Sequence, residues 1–92
     1  MNKTNRNRIE KTASLLEDYR VKIEAIRSEV EGFKDAEEEA YENLSEKAQE
    51  GDKGVAIDEA KDTLENCFSE LETVDSALED AINNLNSIVE NY

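Results

Sequence analysis

Ten residues stand at alternating steps of three and four along the second half of this 92-residue chain: Ile57, Ala60, Leu64, Cys67, Leu71, Val74, Leu78, Ala81, Leu85 and Ile88. None of them is polar. That spacing belongs to an α-helix packed along a seam, because a repeat of about 3.5 residues keeps one stripe turned toward a partner helix. The first half repeats it through Ile9, Thr12, Leu16, Tyr19, Ile23, Ile26, Val30, Phe33, Glu37, Ala40 and Leu44. Thr12 and Glu37 are the interruptions, and Glu37 is either buried or reaches solvent along its own stem. Phe68, Ile82 and Val89 each follow a seam position by one place and widen the apolar face beyond what one neighbour covers. The expected core and oligomer seam is Leu64, Phe68, Leu71, Val74, Leu78, Ile82 and Leu85.

Between the two seams lies Gln49-Glu50-Gly51-Asp52-Lys53-Gly54, where two glycines can supply φ > 0 and Asp52 a helix N-cap. Asp58 and Glu59 then fall near the start of the second helix, at the positive end of its dipole. The expected fold is all-α: a long antiparallel two-helix hairpin, a coiled coil turning at residues 49–54, which dimerises into a four-helix bundle. It forms one domain over residues 9–92, preceded by a basic arm at 1–8 that either grips anionic ligands or frays. Gly32 and Asn43-Leu44-Ser45 are the places where the first helix can break. A turn about Gly51 sets Lys11, Lys22 and Arg27 level with Glu90, Glu79 and Asp75, which fixes register more than stability.

The formal charge is −13, and it is uneven: residues 1–28 hold seven basic and four acidic side chains, residues 29–92 four basic and twenty acidic. Such a surface repels nucleic acid and anionic membranes and attracts basic patches through a field that salt screens. Direct binding to nucleic acid or membrane is not expected. Solubility needs a net charge of only about 2–8 in a small domain, so the excess points to a partner. Asp58, Glu65, Glu72 and Glu79 recur once per heptad with Asp62 among them, and Asp35, Glu38, Glu39 and Glu42 crowd the end of the first helix. These nine residues are the candidate partner-binding face. They are either a solvated helix surface or a row of charges standing in for a phosphate backbone in a basic groove.

Catalysis is not expected. The chain has no His, and Cys67, its one cysteine, sits in the apolar seam, so a nucleophile and base pair has no candidates. No metal site or cofactor is expected either: Asp52-Lys53-Gly54-Val55 lacks the alternating ligands of a calcium loop, and Gly51 and Gly54 lack the residues of a phosphate cradle. A single cysteine and the absence of a long apolar stretch make the cytoplasm the expected compartment.

The stretch Tyr41-Glu42-Asn43-Leu44-Ser45-Glu46-Lys47-Ala48-Gln49-Glu50-Gly51-Asp52-Lys53-Gly54, followed by an acidic helix, resembles a segment of small proteins of phages and mobile elements. In those an aromatic residue precedes Asp-Asn-Leu-Pro-Glu-x-Leu-Gln-x-Ser-Glu-Arg-Gly. Asn43, Leu44, Glu46, Gln49 and Gly54 match, whereas Ser45 replaces the Pro, Ala48 the Leu and Gly51 the Ser. The likeness covers roughly half the chain and implies a phage-type origin without implying a reaction. Small acidic helical phage proteins often block a host nuclease or defence complex, so the resemblance adds that expectation by analogy of class.

Two functions are therefore expected. In the first, a phage or prophage accessory protein uses its acidic surface as a DNA mimic, in the host cytoplasm, to inhibit a nucleic-acid-binding or defence protein with a basic surface. In the second, a structural coiled-coil adaptor oligomerises and docks a partner through its apolar stripe. Both include self-association, with a dimer favoured, because so short a chain buries a modest fraction of its surface alone.

Overall fold

Proline is absent, and Glu, Ala, Leu and Lys, all strong helix formers, fill much of the chain. Long helices follow. The structure is a computed structural model that describes residues 1–91. It contains α1 (Lys3–Glu42), α2 (Glu46–Glu50) and α3 (Asp52–Asn91), with no strand among the described residues. The all-helical hairpin is as expected. From Lys3 onward the basic N-terminal segment is the first turns of α1, where Asn2 Oδ1 accepts from the Asn5 amide at 2.7 Å. Helix α1 runs through Gly32 without a break, and a Cβ added there would meet nothing within 4 Å. Gly32→Ala should therefore raise stability by about 0.5–1 kcal/mol, read as a higher urea midpoint, since it only removes glycine's extra freedom in the unfolded chain.

The chain divides into two compact units, Met1–Ala25 with Glu72–Tyr92 (unit 1) and Ile26–Leu71 (unit 2). In unit 1 the residues turned inward are Arg6, Ile9, Ala13, Leu16, Arg20 and Ile23 on α1, with Asp75, Leu78, Ala81, Ile82, Leu85 and Val89 on α3. Six of the ten expected seam positions of this unit are there, at Ile9, Leu16, Ile23, Leu78, Ala81 and Leu85. At the other four the inward residue lies one place later than expected: Ala13 for Thr12, Arg20 for Tyr19, Asp75 for Val74 and Val89 for Ile88. Val74 is 41% exposed and Tyr19 48%, so Val74 does not belong to the core. The cause is an ion pair that an apolar count passes over. Arg20 Nε donates to Asp75 Oδ1 at 3.0 Å, and its Nη2 lies 3.2 Å from Glu79 Oε2. An arginine stem lies along apolar surface while its fork holds carboxylates, which lets Arg20 and Asp75 occupy seam positions.

Unit 2 shows the same phase. Arg27, Val30, Lys34, Glu37 and Tyr41 turn inward from α1, and Gly54, Ile57, Ala60, Lys61, Leu64, Cys67, Phe68 and Leu71 from α3, while Ile26 and Phe33 are exposed. The Arg27 guanidinium stands 5.1 Å from the centroid of the Phe68 ring. Phe68, expected beside the seam as well as in it, is one of its members. Val30, at 8% exposure, is the one buried apolar side chain of this unit.

The reversal begins earlier than residue 49. Helix α1 ends at Glu42, and Ser45 opens a separate turn of helix, its Oγ accepting from the Ala48 amide at 3.2 Å. Gln49 then reaches back, its Nε2 donating to the Tyr41 carbonyl at 3.0 Å, which also accepts from the Leu44 amide at 3.1 Å, and to the Leu44 carbonyl at 3.4 Å, so one side chain ties α2 to the end of α1 and to the link after it. Gly51 has φ −86°, and no described residue has positive φ. The glycines are not needed for left-handed backbone. Gly54 is buried inside α3, where a Cβ would run into the Gln49 backbone, so close approach of α2 and α3 is its role. Asp52 is in the first turn of α3 rather than at its cap, and Asp58 and Glu59 fall in the second turn.

Candidate functional site

With the seam fixed, the residue that follows each of Leu16, Ile23, Val30 and Glu37 on α1 is a glutamate: Glu17, Glu24, Glu31 and Glu38. Those following Ile57, Leu64, Leu71 and Leu78 on α3 are Asp58, Glu65, Glu72 and Glu79. In an antiparallel pair these positions turn to one side of the seam. Unit 1 shows it directly: a shallow groove there is lined by Glu10 and Glu17 from α1 and by Ile82 and Asn86 from α3. Arg20 lies between the two rows. Its hydrogen bond to Asp75, opposed by partial burial and helped by the charges of Asp75, Glu79 and Glu17, raises its pKa above the ordinary arginine value. A raised pKa puts this contribution to stability below that ordinary value, so it is present through the neutral range and lost only in strong alkali.

In unit 2 the flank is denser. Glu31, Asp35, Glu38 and Glu42 follow one another at steps of four and three along α1, and Asp58, Asp62 and Glu65 do so along α3, all exposed. Asp35, Glu38, Glu42, Asp58, Asp62 and Glu65 were expected as contact residues, and they share this side; Glu39 lies further round α1. Glu72 and Glu79 belong to the flank of unit 1, where Glu79 is held by Arg20. Asp58 is 3.5 Å from Lys61 Nζ one turn along. Sequence reasoning missed Glu10, Glu17, Glu24 and Glu31, although they recur every seven residues. A seam placed on Thr12 and Tyr19 turns that row away from the partner helix and hides its relation to the row on α3.

Burial also decides the sign of the surface. Unit 2 holds fifteen acidic and five basic residues. Fourteen of the acids are exposed, whereas Arg27, Lys34 and Lys61 are half-buried in the seam, leaving Lys47 and Lys53 as its exposed cations. The exposed charge of this unit is therefore almost wholly negative, so a partner in contact with it meets carboxylates while three of the cations lie in the seam. Among the described residues no group of three or more His, Cys, Asp or Glu could hold a metal ion, and no helix is long and apolar enough to cross a membrane. Cys67 is half-buried on α3. Comparison with protein-family models, with curated proteins and with solved structures finds no match to this chain.

Proposed function

We propose that this chain is a non-enzymatic accessory protein of phage type that binds a basic, nucleic-acid-binding or defence protein of its host and inhibits it, acting in the host cytoplasm. One observation carries the reading: in unit 2 fourteen exposed carboxylates face two exposed ammonium groups. Two rows of charge on adjacent helices of this unit offer a basic groove what a duplex offers, two lines of anions side by side. Long-range attraction then speeds encounter, and contact at the groove excludes nucleic acid. Self-association into a four-helix bundle belongs to the same proposal, since among the described residues only Ala13, Val30 and Ile82 of the apolar side chains are buried in the chain by itself.

The test changes Glu31, Glu38 and Glu65 to Gln and Asp58 to Asn together, all at exposed positions of unit 2. Immobilised wild-type chain should retain a basic protein from a bacterial lysate at low salt, release it as ionic strength rises, and displace duplex DNA from it. The fourfold variant should bind at least about tenfold more weakly with unchanged helicity. A variant at Lys3, Arg8 and Lys11, exposed on α1, should bind as wild type. Full retention by the neutralised variant would leave the acidic flank as a solvated surface and nothing more.

A second reading, an adaptor that docks its partner through apolar surface, is favoured by a separate observation: Leu15, Tyr19, Ile26 and Phe33 of α1 are all exposed. Partner binding that ignores salt would select it.

A further inference from the structure

The side of unit 1 opposite its acidic flank carries no acidic side chain among the described residues. A shallow groove there is lined by Asn5, Arg8 and Thr12 from α1 and by Leu85 from α3. Leu15, Tyr19 and Lys22 continue this side along α1, and Val74, Ala77, Ala81 and Ile88 form it along α3, at steps of three, four and seven. Of the nine acidic side chains of the unit, Asp75 lies in the seam, Asp18 and Asp80 at the backs of their helices, and the other six on the opposite flank. Leu15, Tyr19, Val74 and Ile88 are 37–52% exposed. The charged side chains here are Arg8 and Lys22, and Lys22 Nζ stands 5.5 Å from the centroid of the Tyr19 ring. We propose that the same side of a second copy covers this one, about a twofold axis parallel to the helices of unit 1, so that α1 of each copy lies against α3 of the other. This rests on the self-association proposed above and adds its face and its orientation.

A chain of net charge −13 repels its own copy over most of its surface. The acid-free side lets two copies meet without setting carboxylate on carboxylate. Its shape suits a contact in which both copies offer one patch. Arg20 holds Asp75, and Ala13 and Ile82 line one groove, which fixes the relative heights of the two helices. In that register Leu15 is level with Ala81, Tyr19 with Ala77, Lys22 with Val74 and Arg8 with Ile88, each to within one residue, about 1.5 Å of rise. Rotation about an axis parallel to the helices leaves height unchanged. Each large side chain of α1 therefore stands against a small one of the other copy's α3, Leu15 on Ala81 and Tyr19 on Ala77, while the stems of Arg8 and Lys22 cover Ile88 and Val74. An axis perpendicular to the helices would instead set α1 against its own reverse. With Leu15 at that axis, Arg8 and Lys22 lie seven residues to either side and would meet as like charges, which disfavours it. The parallel axis leaves the acidic flank of unit 1 facing outward from both copies.

Sedimentation equilibrium of the full chain should give twice the monomer mass of 10.4 kDa. Ala77→Glu puts a carboxylate on the acid-free side and should weaken the dimer about tenfold or more. Ser76→Glu adds the same charge at the neighbouring exposed position, on the acidic flank, and should leave Kd within about twofold. Tyr19→Ala and Ala77→Tyr should each weaken the dimer about tenfold, one by a cavity and the other by overlap. The chain carrying both should return to within about threefold of wild type, because each tyrosine again meets an alanine of the other copy. Circular dichroism should show equal helicity throughout, since all three positions are exposed in the single chain. A monomer at about 100 μM, weaker than known specific dimers, overturns both self-association and this face. A dimer that responds alike to Ala77→Glu and Ser76→Glu overturns the face, and one that the double exchange does not restore overturns the pairing of α1 with α3; either result leaves self-association standing.

Discussion

Gly54→Val should lower the unfolding free energy by about 3 kcal/mol or more, a large part of the total for a domain of this size. The Cβ of any residue at this position would overlap the Cα, the carbonyl carbon and the carbonyl oxygen of Gln49. All three atoms are backbone, so no rotamer change can relieve the clash, and either α2 or the start of α3 must move. That movement has a second effect. Gln49 also donates from Nε2 to the Tyr41 and Leu44 carbonyls, so displacing its backbone loosens the tie between α2 and the end of α1. Gly51 is the control. A Cβ there would meet the Ala48 and Lys47 carbonyl oxygens at 3.6 and 3.7 Å, ordinary contact, with φ at −86°, and Gly51→Ala should change stability by less than about 0.5 kcal/mol. Urea unfolding followed by circular dichroism separates the two. Equal midpoints would mean that the packing of α2 on α3 does not hold the turn.

The helices and their antiparallel course were legible in the sequence because they rest on periodicity alone, and Ile9, Leu16, Ile23, Leu78 and Leu85 stand where the count put them. The phase of the alternate positions was not legible. Thr12, Tyr19, Ile26 and Phe33 look like better seam residues than Ala13, Arg20, Arg27 and Lys34 on any hydrophobicity scale. The fold takes the second set because Arg20 finds Asp75 and Arg27 finds the Phe68 ring across the seam. These are pairings between residues far apart in sequence, which a count along one helix does not contain. Once the phase shifts by one, the rest follows: the stripe on α1 becomes free surface and the glutamates of α1 join the acidic row of α3. The turn was legible as a place but not as a mechanism. Gln49 and Gly54, two of the residues that carry the phage-type resemblance, prove to hold the turn together, so their presence there has a structural reason apart from any function.

The phase of the seam has its own test, Ile82→Ala set against Val74→Ala. Both are aliphatic side chains of α3 in unit 1, and the sequence count gave both to the core. Ile82 is 6% exposed and Val74 41%. Truncating Ile82 removes three carbons from a place that Ala13, 5% exposed, cannot expand to fill, and should cost about 2–4 kcal/mol. Truncating Val74 removes two carbons already half in water and should cost less than about 0.5 kcal/mol, partly offset by the better helix propensity of alanine. The comparison belongs at low protein concentration, because association would cover part of the exposed face and add to the apparent cost at Val74. A two-state denaturant series in which m is unchanged and only the midpoint moves would assign the loss to packing. If Val74→Ala proved the more damaging, the helices would be packed in the phase that puts Tyr19 and Val74 inside, Arg20 and Asp75 would be surface residues, and the acidic rows of α1 and α3 would no longer share a flank.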